Sequence, residues 1–148
     1  MTSEEAYIAI MFCAVKADEM VTREEIHSLE YIVTRFKGFV ALTPTHFQNL
    51  VNQFLKIVDQ EGLDTLIAAA KSALENNLKE SAFVNAMEII MADGIVDSKE
   101  KKFLEKLQAA LGVSDERVKQ IVDILAVKNR GTTADMFEGE SADKKFYT

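Results

Sequence analysis

Proline and glycine are scarce in this chain: one proline, Pro44, and six glycines punctuate 148 residues. So little turn chemistry excludes a fold of many short strands joined by tight turns. Cysteine is scarcer still. Cys13 stands alone, which excludes an intramolecular disulfide framework and suits a reducing, cytoplasmic compartment. The apolar stretch "YIAIMFCAV" is too short to cross a bilayer, so no direct membrane insertion is expected. Acids (Glu4, Glu5) rather than a basic segment precede it, which argues against a signal peptide. Basic residues are outnumbered, 17 Lys and Arg against 24 Asp and Glu, for a formal charge of −7. Without a clustered basic surface, duplex nucleic acid is excluded as a partner, whereas cations or a basic partner fit. Gly-rich phosphate loops, paired zinc motifs and nucleophile–His arrangements are also missing.

What the chain does contain is 3.6-residue apolar periodicity over nearly its whole length. The apolar fraction is 48% and the charged fraction 28%, as in a globular domain that buries roughly two-thirds of its unfolded surface. The spacing predicts an all-α fold of about seven helices in a compact bundle. The first covers about 3–18 and the second about 22–37. The third starts at Pro44 with Thr43 as N-cap, carries a stripe from Phe47 to Val58, and ends at Gly62. The fourth carries Leu63, Leu66, Ile67, Ala70 and Leu74. The fifth covers about 79–92. The sixth starts at Asp97 and stops before Gly112, and the seventh starts at a Ser114 cap. Residues 1–130 form one domain. The tail 131–148 loses periodicity and is expected to be weakly structured or loosely docked. The first and fifth helices are apolar nearly all round, as central helices of a bundle are.

The chain also repeats itself. Residues 7–33 align without a gap on 82–108. Ala17, Asp18, Val21, Glu25, Leu29 and Glu30 fall on Ala92, Asp93, Val96, Glu100, Leu104 and Glu105. The identities centre on the same loop between the same kinds of helix, which marks a duplicated structural unit. Two helical hairpins related by a pseudo-two-fold are expected, with the third, fourth and seventh helices around them.

The loops carry acids with two possible roles. Thr22 to Glu25 and Asp97 to Glu100 both fit the capping box, in which the first side chain caps the third helical N–H and the Glu reaches back. Val21 and Ile26 could add a hydrophobic staple in the first copy, whereas Lys101 takes the staple position in the second. Capping leaves Asp18 and Asp93 unexplained, since each ends a buried helix where the dipole disfavours an anion. Each could simply form a turn, with Gly94 free to take positive φ. The alternative is a divalent cation, Ca²⁺, Mg²⁺ or Zn²⁺, held by Asp18, Glu19, Asp93, Asp97 and Glu100 where the pseudo-two-fold brings the loops together. Carboxylate oxygens suit hard cations. The spacing is not that of an EF-hand, because Ile95 and Ser98 stand where a ligand and a glycine belong.

The apolar helix leading into "ADGIVDSKE" and the downstream helix ending "LGVS" resemble the TerB family of tellurite-resistance proteins, over roughly residues 5–128. The resemblance implies an all-α, duplicated fold and a non-enzymatic bacterial stress protein associated with tellurite resistance and with phage and toxin tolerance. TerB-like domains in membrane-anchored J-domain co-chaperones imply a protein partner in a stress-response or membrane-associated complex. The family's acidic loop residues carry over onto Asp93, Asp97 and Glu100, and in the first copy onto Asp18 and Glu25. The chain departs at Glu19, where the family pattern favours Gly. Glu19 is then an extra ligand, or the first loop has lost the role.

Other features read more plainly. Glu24 and His27 have the E-x-x-H spacing of di-iron bundles, but Lys99 and Lys102 occupy the repeat-equivalent positions, so the second copy such a site needs is missing. His46 reads as a surface residue, Cys13 as a small core hydrophobe, and the methionines as core filler. Glu88 is an acid on a nearly all-apolar helix. It should reach a polar neighbour such as Lys16 or face a cleft. No catalytic residues and no organic cofactor site are assigned. The expected role is binding, of a divalent cation, a protein partner, or both. The alternative is a small helical enzyme using paired carboxylates for acid/base chemistry, marked by a deep pocket and a perturbed acid at Glu88.

Overall fold

A computed structural model describes residues 1–17, 23–34, 42–91 and 96–128. These form α1 (Ser3–Lys16), α2 (Arg23–Thr34), α3 (Pro44–Glu61), α4 (Leu63–Ala73), α5 (Asn76–Met91), α6 (Ser98–Leu111) and α7 (Asp115–Lys128). Among the described residues there is no strand. The all-α expectation holds.

α1 is the axis of the molecule. Every residue from Ala6 to Val15 is buried, so a helix with no polar stripe has found apolar neighbours on all sides. It packs most extensively on α4 and α5, and also touches α2 and α3. Phe12 meets Phe54 of α3 with ring centroids 5.7 Å apart, within the range of favourable tilted aromatic pairs. The Tyr7 hydroxyl, carried into this core, is bonded to Ser81 Oγ at 2.7 Å and accepts from Asn85 Nδ2 at 2.5 Å. Both partners lie on α5, so a polar contact fixes the register in which the two apolar helices slide together.

α5 is less completely enclosed than α1. Ala82, Phe83, Ala86, Met87, Ile90 and Met91 form its buried face, while Val84, Asn85, Glu88 and Ile89 are half-buried. It also begins earlier than expected, at Asn76. Leu78 packs against the core, so the helix extends back past the expected start near residue 79. The remaining helices bury single stripes: Phe47, Leu50, Val51 and Phe54 on α3, Leu66, Ile67 and Ala70 on α4. On α6 and α7 the stripes are Phe103, Leu104, Leu107 and Leu111, then Val118, Ile121, Val122 and Leu125.

The helix ends follow the expected chemistry. Thr43 Oγ1 accepts from the His46 N–H at 3.1 Å with Pro44 at the first helical turn. Gly62, at φ 93°, both closes α3 and opens α4, a backbone angle that side chains resist. Gly112 closes α6 in the left-handed conformation at φ 71°, and Ser114 caps α7 through the Arg117 N–H. One further capping box, Thr2 with Glu5, starts α1. Its signature, "TSEE", is local and stands in the sequence. The segment 131–148 lies outside the described residues.

Helix boundaries respect the internal alignment. α1 and α5 end at Lys16 and Met91, and α2 and α6 begin at Arg23 and Ser98, positions the ungapped alignment pairs. Leu29 and Leu104, also paired, are both fully buried.

Two measurements check this description. Truncating Phe83 to Ala should cost about 3–5 kcal/mol of unfolding free energy in urea, the range for large aromatic cavities. A loss below about 1 kcal/mol would make α5 peripheral. At acid pH, the Glu5 carboxyl lies below its ordinary value, chiefly because it accepts from the Thr2 backbone N–H. A depressed folded value stabilises the protein above the ordinary carboxylate range, and that contribution is lost as pH falls through the folded value. Glu5→Gln, which keeps the bond without the charge, should flatten this part of the acid-unfolding profile. An unchanged profile would contradict the assignment.

Candidate acidic loop site

The α6 N-terminus is the part of the candidate site that the structure describes. Val96 is buried and anchors the approach. Asp97 then takes extended backbone angles, φ −77° and ψ 175°, as an N-cap does. Its Oδ1 accepts from the Glu100 N–H at 2.8 Å, and Glu100 Oε1 accepts from the Asp97 N–H at 3.1 Å. The reciprocal capping box read from "DSKE" is therefore formed. Lys101 N–H to Asp97 C=O, 2.9 Å, closes the first helical turn.

Glu100 differs from an ordinary capping glutamate in its burial. It is 9% exposed and is the one charged side chain in the buried set of the described residues. A carboxylate taken this far from water needs hydrogen bonds or positive charge in return. The helix N-terminus supplies both, through the Asp97 amide and the positive end of the dipole. Capping engages one oxygen of each carboxylate, and a carboxylate has about four acceptor positions in all. The box thus holds the two acids in a defined pose.

The other expected ligands fall differently. Glu25 is half-buried at the third position of α2, the same position that Glu100 holds in α6. Asp18, Glu19 and Asp93 lie outside the described residues, as does Thr22, the expected cap of α2. The structure brings together Asp97 and Glu100 among the expected ligands. Among the described residues no group of three or more His, Cys, Asp or Glu side chains is placed to hold a metal ion.

Several single residues resolve as surface or core. Glu24 and His27 are exposed on α2. His46 is exposed, its Nε2 3.7 Å from Glu5 Oε2. Cys13 is wholly buried, and burial pushes its thiol well above the ordinary range, which leaves it un-ionised and unreactive. Glu88 is half-buried and pairs with Lys128 of α7, not with Lys16. The cross-helix partner lies far along the chain, and no local spacing points to it. Sequence reading also missed a lysine-lined cleft at the α1, α3, α4 and α6 junction. Its signal was the i, i+3, i+7 spacing of Lys99, Lys102 and Lys106 on one face of a helix.

The family model described as Tellurite resistance protein TerB matches residues 4–123 of the chain. Comparison with curated proteins and with solved structures found no match.

The capping role alone makes a prediction. Asp97→Ala should destabilise the protein by about 1 kcal/mol, and Asp97→Ser, which restores a capping oxygen, by only a few tenths. Equal losses for the two, measured by urea unfolding, would mean that the Asp97 side chain does not cap α6.

Proposed function

The chain belongs to the TerB family, and from that premise we propose that it is a non-enzymatic, cytoplasmic binding protein of a bacterial stress response. Its inter-helix acids hold a divalent cation, and the cation-loaded loops present a surface to a protein partner. The observation that carries this reading is the pose of Glu100: a buried carboxylate, fixed with Asp97 by reciprocal bonds, a few residues after Asp93 in the sequence. Ordinary capping glutamates sit in water, so burial here concentrates negative charge where a cation would gain most from it.

The proposed ligands are Asp93, Asp97 and Glu100 from one loop and Asp18, Glu19 and Glu25 from its counterpart. The matching helix boundaries and the matching third-position glutamates, Glu25 and Glu100, support treating the two loops as one duplicated device. All the donors are oxygens. That favours Ca²⁺ or Mg²⁺ over Zn²⁺, which draws mostly on nitrogen and sulfur. Burial of Cys13 and exposure of His27 and His46 leave no such donor in the set. The loops join helices that pack on one another, α1 with α2 and α5 with α6. Charge neutralisation at the loops would therefore stiffen the connections between these paired helices.

The acid/base enzyme reading depended on a recessed, perturbed Glu88. Glu88 is half-buried on α5 and forms an ion pair with Lys128, whose side chain is 56% exposed. Among the described residues no helix is long and apolar enough to cross a membrane.

Calorimetric and thermal titrations with Ca²⁺, Mg²⁺ and Zn²⁺ test the proposal. Asp93→Asn, Asp97→Ser and Glu100→Gln keep turn and cap hydrogen bonds and remove charge. Each should cost no more than about 1 kcal/mol of metal-free stability and should sharply weaken cation binding. The cation should raise the melting temperature of the wild type, because it binds only the folded state. The triple variant should lose that rise. If wild type and triple variant respond alike to all three cations, these acids are caps and turns only.

A further inference from the structure

α7 buries one stripe, Val118, Ile121, Val122 and Leu125, and carries two further large aliphatic side chains off it. Ile124 is 65% exposed and Val127 60%. Residues three apart are neighbours on a helix surface, so the two make one apolar patch at the end of α7. Met1 and Tyr31, the other exposed large hydrophobics among the described residues, stand apart, before α1 and on α2.

Helix stability does not explain the pair. β-Branched residues are weaker helix formers than the Lys, Glu or Gln that suit a solvated position. Rotation of α7 cannot bury them either. Its stripe faces the core, and the helix is tied to α5 near both ends, by Arg117 with Glu80 and by Lys128 with Glu88. A cover must come from outside the seven helices, and the chain itself carries one. Residues 129–148 follow directly on α7, and they hold four large apolar side chains in two adjacent pairs, Met136 with Phe137 and Phe146 with Tyr147. The family match ends at residue 123, so the exposed pair and the tail both belong to the stretch beyond it.

We propose that the exposed pair on α7 is the docking site of the chain's own C-terminal segment, with Met136 and Phe137 packed on Ile124 and Val127. Linker length selects the first apolar pair of the tail over the second. Residues 129–135 separate α7 from Met136, against 129–145 for Phe146. Loop closure weakens as about the three-halves power of length, so the shorter linker favours docking roughly fourfold. Its extended reach is about 23 Å, and Ile124 lies only about 6 Å back along the helix from Lys128. Gly131 suits the reversal, since glycine takes positive φ without strain. Asp135, Glu138 and Glu140 bracket the pair, so burial is confined to two side chains while the acids stay in water. A second copy of the chain would have to compete with a tethered segment at about millimolar effective concentration.

The test combines NMR of the full chain with thermal unfolding of its variants, in buffer containing EDTA so that no cation at the acidic loops contributes. Nuclear Overhauser contacts should run from the Phe137 ring to the Ile124 and Val127 methyl groups, and should persist when labelled chain is diluted into unlabelled chain. Phe137→Ala should lower the melting temperature by about 2–4 °C, a modest packing loss in a chain of this size. Ile124→Ala with Val127→Ala should lower it likewise, although alanine is the better helix former. Adding Phe137→Ala to that double variant should lower it no further, as residues in contact require. Phe146→Ala should leave it unchanged. A melting temperature that holds or rises in Ile124→Ala with Val127→Ala would overturn the proposal, as would additive losses or an equal loss from Phe146→Ala. Contacts seen only between differently labelled chains would assign the face to a second copy and overturn it too.

Discussion

The burial of α1 is the constraint on which the remaining structure depends. A helix whose residues 6–15 are all excluded from water cannot lie on a surface, because no face of it is polar enough to meet solvent. Other helices must enclose it, and α4 and α5 do so most closely. Those two need only one apolar stripe each, as do α3, α6 and α7, so the outer helices can be charged on their far sides. The Tyr7 hydroxyl, polar inside the core, is satisfied by Ser81 and Asn85. That bond turns non-directional apolar packing into one register between α1 and α5.

The functional regions inherit their positions from this core. α1 and α5 lie side by side, and each is followed by an acid-bearing segment that leads into an amphipathic helix. The core thus fixes where each segment leaves and where the next helix starts, while the segments themselves are short and rich in charge. Glu100 illustrates the coupling: it belongs to the capping box that starts α6, and it is buried in a bundle where α6 packs on both α5 and α4. The lysine-lined cleft depends on the same scaffold, since Lys16 and the α6 lysines converge only because α1 and α6 both pack against α4.

Much of this was legible in the residues, for identifiable physical reasons. Caps and stops are local: Thr43 with Pro44, Asp97 with Glu100, Gly62, Gly112 and Ser114 all act within a turn or two of where they stand, so their spacing suffices. Burial of α1 followed from its composition. What sequence did not disclose was tertiary juxtaposition. Glu88 meets Lys128 across two helices that are far apart in the chain. The lysine-lined cleft draws on four helices. The start of α5 is set by Leu78, whose packing against the core extends the helix back past residue 79. Of the acidic loops, the Asp97–Glu100 box was legible as local chemistry, whereas the burial of Glu100 is a property of the packed bundle.

The account's central claim is that the acids flanking the two hairpin turns act together on one divalent cation. The direct measurement is a ¹⁵N and side-chain carboxyl NMR titration of the full chain with Ca²⁺. The account predicts saturable shifts confined to Asp18, Glu19 and Glu25 on one side and to Asp93, Asp97 and Glu100 on the other, all fitting a single Kd. Shifts that do not saturate, or that scatter over surface carboxylates such as Glu80 and Asp115 as much as over these six, would contradict it.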